Sequence, residues 1–159
     1  MHPATVIVSK ALPAIALGLR HSIRDTAGED IPFMLIIFTP EVLSYYSTAP
    51  HDVSVPALRH FFECVDSNNE KITQEQRDAF KPSHARAVSI MLPAVKSMAD
   101  TLKFISGEDL ALALFFFTNV RASYVANGSR DECFPVIRAL LEDMANGMPD
   151  IPAHHIAMH

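Results

Sequence analysis

Apolar and polar positions follow the same order twice along this chain. Ile7, Val8, Ala11, Leu12, Ile15, Leu19 and Ile23 recur at steps of three and four, which predicts an amphipathic helix over 4–26. Val88, Met91, Leu92, Val95, Met98, Leu102 and Ile105 draw the same stripe later. Pro13 and Pro93 sit at matching places inside these stripes. A proline there removes a hydrogen bond and clashes with the preceding turn, so a kink or a break is expected at each. Gly28 and Gly107 follow, where a left-handed glycine commonly ends a helix.

Two short, unbroken apolar runs come next, 32–39 (PFMLIIFT) and 110–118 (LALALFFFT). They are strand length, and the lack of alternation predicts that both faces are covered. Tight connections at Pro40-Glu41 and Asn119-Val120 lead to second strands over 42–48 and 121–126, so each pair should form an antiparallel hairpin. Last comes a helix starting near Asp52 or Asp131, with stripes Ala57, Leu58, Phe61, Phe62, Val65 and Val136, Ile137, Leu140, Leu141, Met144. In the second case Ser129 with Glu132 offers an alternative start as a capping box.

The parallel extends to identities. Shifting by 79 residues aligns 28–65 with 107–144 and matches 12 of 38 positions: Gly28/Gly107, Glu29/Glu108, Asp30/Asp109, Leu35/Leu114, Phe38/Phe117, Thr39/Thr118, Ser44/Ser123, Tyr45/Tyr124, Asp52/Asp131, Pro56/Pro135, Arg59/Arg138 and Glu63/Glu142. Chance would give about two. The fold class expected is α+β: two tandem α-β-β-α repeats forming one pseudo-two-fold domain, with a four-stranded antiparallel sheet and helices packed on it. Isolated hairpins are marginal, so the two should pair edge to edge. The expected division is 1–65 for the first repeat, 66–82 for a polar linker, 83–146 for the second repeat and 147–159 for a flexible tail. Thr73 with Gln76 marks a short helix in the linker, and the tail shows no periodicity.

Composition narrows the function classes. The net charge is −5, and −2, −1 and −2 fall on 1–65, 66–82 and 83–159, so no segment is a basic pole. Nucleic acid and anionic membrane surfaces are disfavoured as partners. The N-terminal stripe lacks a basic leader and has its counterpart in mid-chain, which argues against a signal peptide. No run reads as long and apolar enough for a membrane span. Two cysteines, Cys64 and Cys133, fall at unmatched repeat positions; a cytoplasmic, reducing setting is expected, with no disulfide framework. The eight histidines show no metal-ligand spacing, although His154, His155 and His159 cluster in the tail, and no phosphate loop, dinucleotide fingerprint or nucleophile elbow occurs. No cofactor is implied.

Candidate chemistry concentrates in the turn between the second hairpin and its helix. Tyr124, Asn127, Gly128, Arg130 and Asp131 would set backbone N–H groups of a helix start beside a fixed positive charge, suited to a phosphate or carboxylate. The alternative is a plain turn, with Asn127-Gly128 reaching positive φ. Tyr45, Thr48 and His51 are the first-repeat counterparts, and the two tyrosines would either line a symmetric cleft or be half-buried strand residues. Arg59/Glu63 and Arg138/Glu142 have the spacing of surface ion pairs. Cys133, near a helix start, would be either a partly ionised or a buried structural thiol.

The string Phe115–Phe117, then Ser123-Tyr124-Val125-Ala126-Asn127-Gly128, then Arg130-Asp131 and an amphipathic helix, resembles small α-β-β-α proteins of phage and prophage origin, mostly of unassigned function. These carry a Tyr-Val-Ser-Asn-Gly-x-Arg-Glu turn into their last helix. The first repeat departs from it, with Thr48, Ala49 and His51 in place of Asn, Gly and Arg. The resemblance implies a phage-associated accessory protein and no reaction. The expectation is therefore a non-enzymatic protein that binds another protein, as an inhibitor or anti-defence factor would. Alternatives are a small-ligand (nucleotide or anion) binder using the second-repeat turn and, ranked last for want of a catalytic signature, an enzyme. Self-association is compatible with either binding role.

Overall fold

The computed structural model describes residues 2–68, 73–118, 121–149 and 153–157. Its elements are α1 (Pro3–Ala27), β1 (Phe33–Phe38), β2 (Val42–Ser47), α2 (His51–Asp66), α3 (Gln74–Ala79), α4 (Pro82–Ser89), α5 (Met91–Ser106), β3 (Ala111–Thr118), β4 (Arg121–Ala126), α6 (Arg130–Ala145) and β5 (Ala153–Ala157). The class is α+β, as the periodicities require. The Asn119-Val120 connection lies outside the described residues, as do His159 and the side chains of Gln76, His154 and His155.

The strands form one antiparallel sheet in the order β4-β3-β1-β2-β5. Its first four strands, β4-β3-β1-β2, are the two expected hairpins, joined edge to edge through β1 and β3. At that join Leu35 faces Leu114. Within the hairpins Ile36 faces Tyr45 and Phe115 faces Tyr124, the same register in both. β5 is the departure: 153–157, expected as a loose tail, pairs with β2, Leu43 opposite Ile156. The pairing is made by backbone groups of an otherwise open edge, which leave no mark on side-chain periodicity.

Helices cover both faces, which accounts for the unbroken apolar runs. Phe33, Leu35, Ile37, Leu112, Leu114 and Phe116 pack with Val8, Leu12, Leu19 and Ile23 of α1 and with Ala87, Met91, Val95 and Leu102 of α4 and α5. Met34, Ile36, Ala113, Phe115 and Phe117 pack on the other face with Leu58 and Phe62 of α2 and Ile137, Leu140 and Leu141 of α6. α1 is long and apolar enough, by length and composition, to cross a membrane, contrary to the expectation from sequence; here its apolar stripe lies on the sheet.

The prolines divide. α1 runs 25 residues through Pro13 without a break, the proline standing on its exposed side. The second stripe breaks at Ile90, so Pro93 falls in the first turn of α5, where a missing N–H costs least. Both capping glycines are left-handed, with φ of 81° at Gly28 and 76° at Gly107, and their N–H groups donate to Arg24 and Lys103 carbonyls at 2.8 Å. α6 takes the earlier of its two expected starts: Ser129 is the N-cap, and its hydroxyl accepts the Glu132 N–H at 3.3 Å.

Candidate functional site

Asn127, just past β4, ties two strands together. Its Oδ1 accepts the Leu112 N–H at 2.6 Å and its Nδ2 donates to the Leu110 carbonyl at 3.1 Å, while its own N–H donates to the Leu112 carbonyl. Thr48 does the same after β2: its hydroxyl accepts the Phe33 N–H at 2.9 Å, and its N–H donates to the Phe33 carbonyl. Phe33 and Leu112 are equivalent positions, so two different side chains solve one problem, an unpaired N–H at the strand start.

Gly128 is not left-handed, nor is Asn127, so positive φ is not what the Asn-Gly pair supplies. Space is. A Cβ on Gly128 would sit 2.9 Å from Cys133 Sγ and 3.4 Å from Ala111 Cβ. Seventy-nine residues earlier stand Ala49, which is 4 % exposed, and the smaller Ser54, whose hydroxyl donates to the Pro50 carbonyl.

The tyrosines occupy the α2/α6 face. Tyr45 is 1 % exposed, and its hydroxyl donates to Met148 Sδ at 3.2 Å, so it presents no surface to a ligand. Tyr124 is half-buried in an aromatic cluster with Phe61, Phe115 and Phe134, at ring separations of 5.6, 5.0 and 5.4 Å. Its hydroxyl is buried and makes no hydrogen bond among the described residues. The Cys133 thiol is close by but not in hydrogen-bonding geometry. Burial pushes the Tyr124 phenol up to about 12; the neighbouring Cys133 adds to the rise and Arg130 opposes it. Burial, then Glu132, pushes the Cys133 thiol up as well, so it is a buried thiol and not a partly ionised one.

Arg130 opens α6, exposed, with its guanidinium 5.4 Å from the Phe134 ring centre one turn on. Asp131 is exposed beside it, where a carboxylate favours the helix start. His51 opens α2 and is partly buried. The candidates of the second half thus share one turn, and those of the first half another. β2 and β4 are three antiparallel steps apart, so the turns lie at opposite ends of the sheet and about 14 Å apart across it. They do not form one symmetric cleft. Arg138 is also placed differently from expectation. It forks onto Asp66 of α2 at 2.6 and 3.1 Å and stacks on Phe62 at 4.3 Å, joining the two helices.

A different surface was not singled out by the sequence. Between α1 and α5 runs a groove of about 410 Å³, floored by small side chains four apart (Ala14, Gly18 and Ser22) and by Ala94, Ser97 and Thr101 opposite. Among the described residues the exposed large apolar side chains belong to these two helices: Phe104 at 90 %, Leu17 at 56 %, Leu92 at 49 % and Ile105 at 39 %. Leu92 and Ile105 fall on the apolar stripe yet stay outside the core. Leu17 and Phe104 lie off the stripe, and that was the available signal. Among the described residues no three His, Cys, Asp or Glu side chains gather as metal ligands. No protein family, characterised protein or solved structure matches this chain.

Proposed function

We propose that this protein is a non-enzymatic interaction module, of the phage- or prophage-associated accessory kind, that binds an apolar ridge of another protein through its α1/α5 face. The observation that carries it is Phe104, 90 % exposed on the helix layer that also holds Leu17, Leu92 and the groove between α1 and α5. An exposed aromatic on the same helix layer as an open trough suits a helix or loop of a partner. Two free thiols accord with a cytoplasmic setting. A tandem duplication, fusing what was once a homodimer, is part of this proposal. Its support is the register: residues equivalent at the 79-residue offset, Leu35 and Leu114, face each other at the central join, as a two-fold axis there requires. An anion site at the 127–131 turn has less support, because the Asn127 amide and the Ser129 hydroxyl are both engaged within the turn.

The test is affinity capture from the native host with wild-type protein, Phe104→Asp, Leu17→Asp and Arg130→Ala. A partner lost with the first two and kept with the third supports the α1/α5 face. A partner or small anion lost only with Arg130→Ala moves the site to the turn.

A further inference from the structure

Each end of the α1 layer is closed by a histidine from one half and a glutamate from the other. Glu29 and Glu108 directly follow the capping glycines. His84 Nε2 lies 4.0 Å from Glu29 Oε1, and His2 Nε2 lies 3.2 Å from Glu108 Oε1. In both rings the other nitrogen accepts a backbone N–H. Nδ1 of His84 takes that of Lys81 at 3.3 Å, and Nδ1 of His2 takes that of Ala4 at 3.1 Å. A ring nitrogen that accepts carries no proton, so this hydrogen-bond pattern assigns both imidazoles as neutral, with Nε2–H toward the carboxylate.

His84 is 5 % exposed, edge-on to Phe80 with ring centres 5.4 Å apart. The charged groups around it are Glu29 from the loop after α1, Lys81 ahead of α4, and Arg86 two residues on, whose guanidinium donates to the Thr26 and Ala27 carbonyls. Ser83 already donates to the same Glu29 oxygen at 3.2 Å. A second proton on His84 would break the Lys81 N–H bond and put a cation in the first turn of α4, where the helix dipole opposes it. His2 has its carboxylate closer, a side chain one-third exposed, and Glu41 accepting its backbone N–H at 2.8 Å.

We propose that His84 is a pH-operated latch. Neutral, its Nδ1 accepts the Lys81 N–H and closes the first turn of α4, where the linker ends; protonated, it gives up that bond and the turn loosens. The acidity of the ring agrees: burial holds it below the ordinary histidine value, Lys81 helps, and Glu29 opposes. A depressed folded value means the opened state takes the proton more readily. The latch is therefore whole above pH ~6.5 and weakens as pH falls below that.

The test is amide hydrogen exchange on the full chain at pH 7.5 and 5.0, corrected for intrinsic rates, with His84→Asn alongside. Asn Oδ1 replaces Nδ1 as acceptor and does not titrate. Expected in the wild type is a several-fold protection loss over 81–87, with α6 unchanged. In the variant no such loss is expected. Equal losses in both proteins, or a loss in neither, overturn the proposal. As a measurement free of substitution, the Lys81 amide resonance of the wild type should move with the His84 titration; an amide indifferent to it also overturns the latch.

Discussion

Gly128 and Cys133 are fitted to one another: a methyl group at 128 would stand 2.9 Å from the Cys133 sulfur. The first half of the chain holds the complementary pair, Ala49 with Ser54. Gly128→Ala is therefore expected to lower stability by about 1–3 kcal/mol, the usual cost of overpacking. Adding Cys133→Ser, which recreates the Ala49/Ser54 pair, should recover most of it. Denaturant midpoints of the three proteins decide this, and a Gly128→Ala variant as stable as wild type would show that the contact yields freely.

Asn127→Ala leaves the Leu112 N–H without its side-chain acceptor, and a loss of about 1–3 kcal/mol is expected. Asn127→Thr should lose less, since Thr48 makes the like bond to the Phe33 N–H. If the two variants prove equally unstable, the geometry of the two turns differs more than their bonding suggests.

Tyr124→Phe is expected to leave stability unchanged or raise it by up to about 1 kcal/mol, because the hydroxyl removed is buried and unbonded. Tyr45→Phe loses a bond to sulfur, a weak acceptor, and should cost about 0.5 kcal/mol. In an ultraviolet titration Tyr124 should ionise near 12. Its folded value is raised, so its contribution to stability is whole below the unfolded value near 10 and lost as pH climbs past it. A marked destabilisation by Tyr124→Phe would reveal a partner for the hydroxyl.

Asp30 accepts both Arg24 and Arg20, and these bonds hold its carboxyl down to about 2. With the folded value depressed, this stabilisation is present above the unfolded value of 3.8 and lost as pH falls from there toward 2. Carboxyl carbon resonances should show the low midpoint, and Arg24→Gln should return it toward the ordinary range. A midpoint near 4 in the wild type would mean that the fork is open in solution.

Much of the fold was legible because its cause is local. Unbroken runs at 33–38 and 111–118 meant strands covered on both faces, and Gly28 and Gly107 marked helix ends. The rest depended on distant partners. Arg138 looked paired with Glu142, four residues on, because the sequence gives no hint that Asp66 faces it from another helix. Thr48 and Asn127 counted as a mismatch in alignment although they share the one property that matters, an acceptor oxygen within reach of the next strand. The turn was conspicuous by residue type, whereas the α1/α5 surface shows only when the helix packing leaves Phe104 outside. β5 is held by backbone groups, which every residue but proline offers equally.

The join between β1 and β3 has a consequence for how the chain is made. β1 lies at the centre of the sheet, yet its inner neighbour ends at Thr118. A ribosome adding ~5–20 residues per second needs on the order of ten seconds to travel from Phe38 to Thr118. Throughout that interval Phe33, Leu35 and Ile37 have no second hairpin against which to close. The first half cannot mature ahead of the second, and the nascent chain carries an unsealed hydrophobic edge until both are out. Expression should therefore be more sensitive to chaperone supply and to premature termination between 48 and 118 than the stability of the finished protein would suggest.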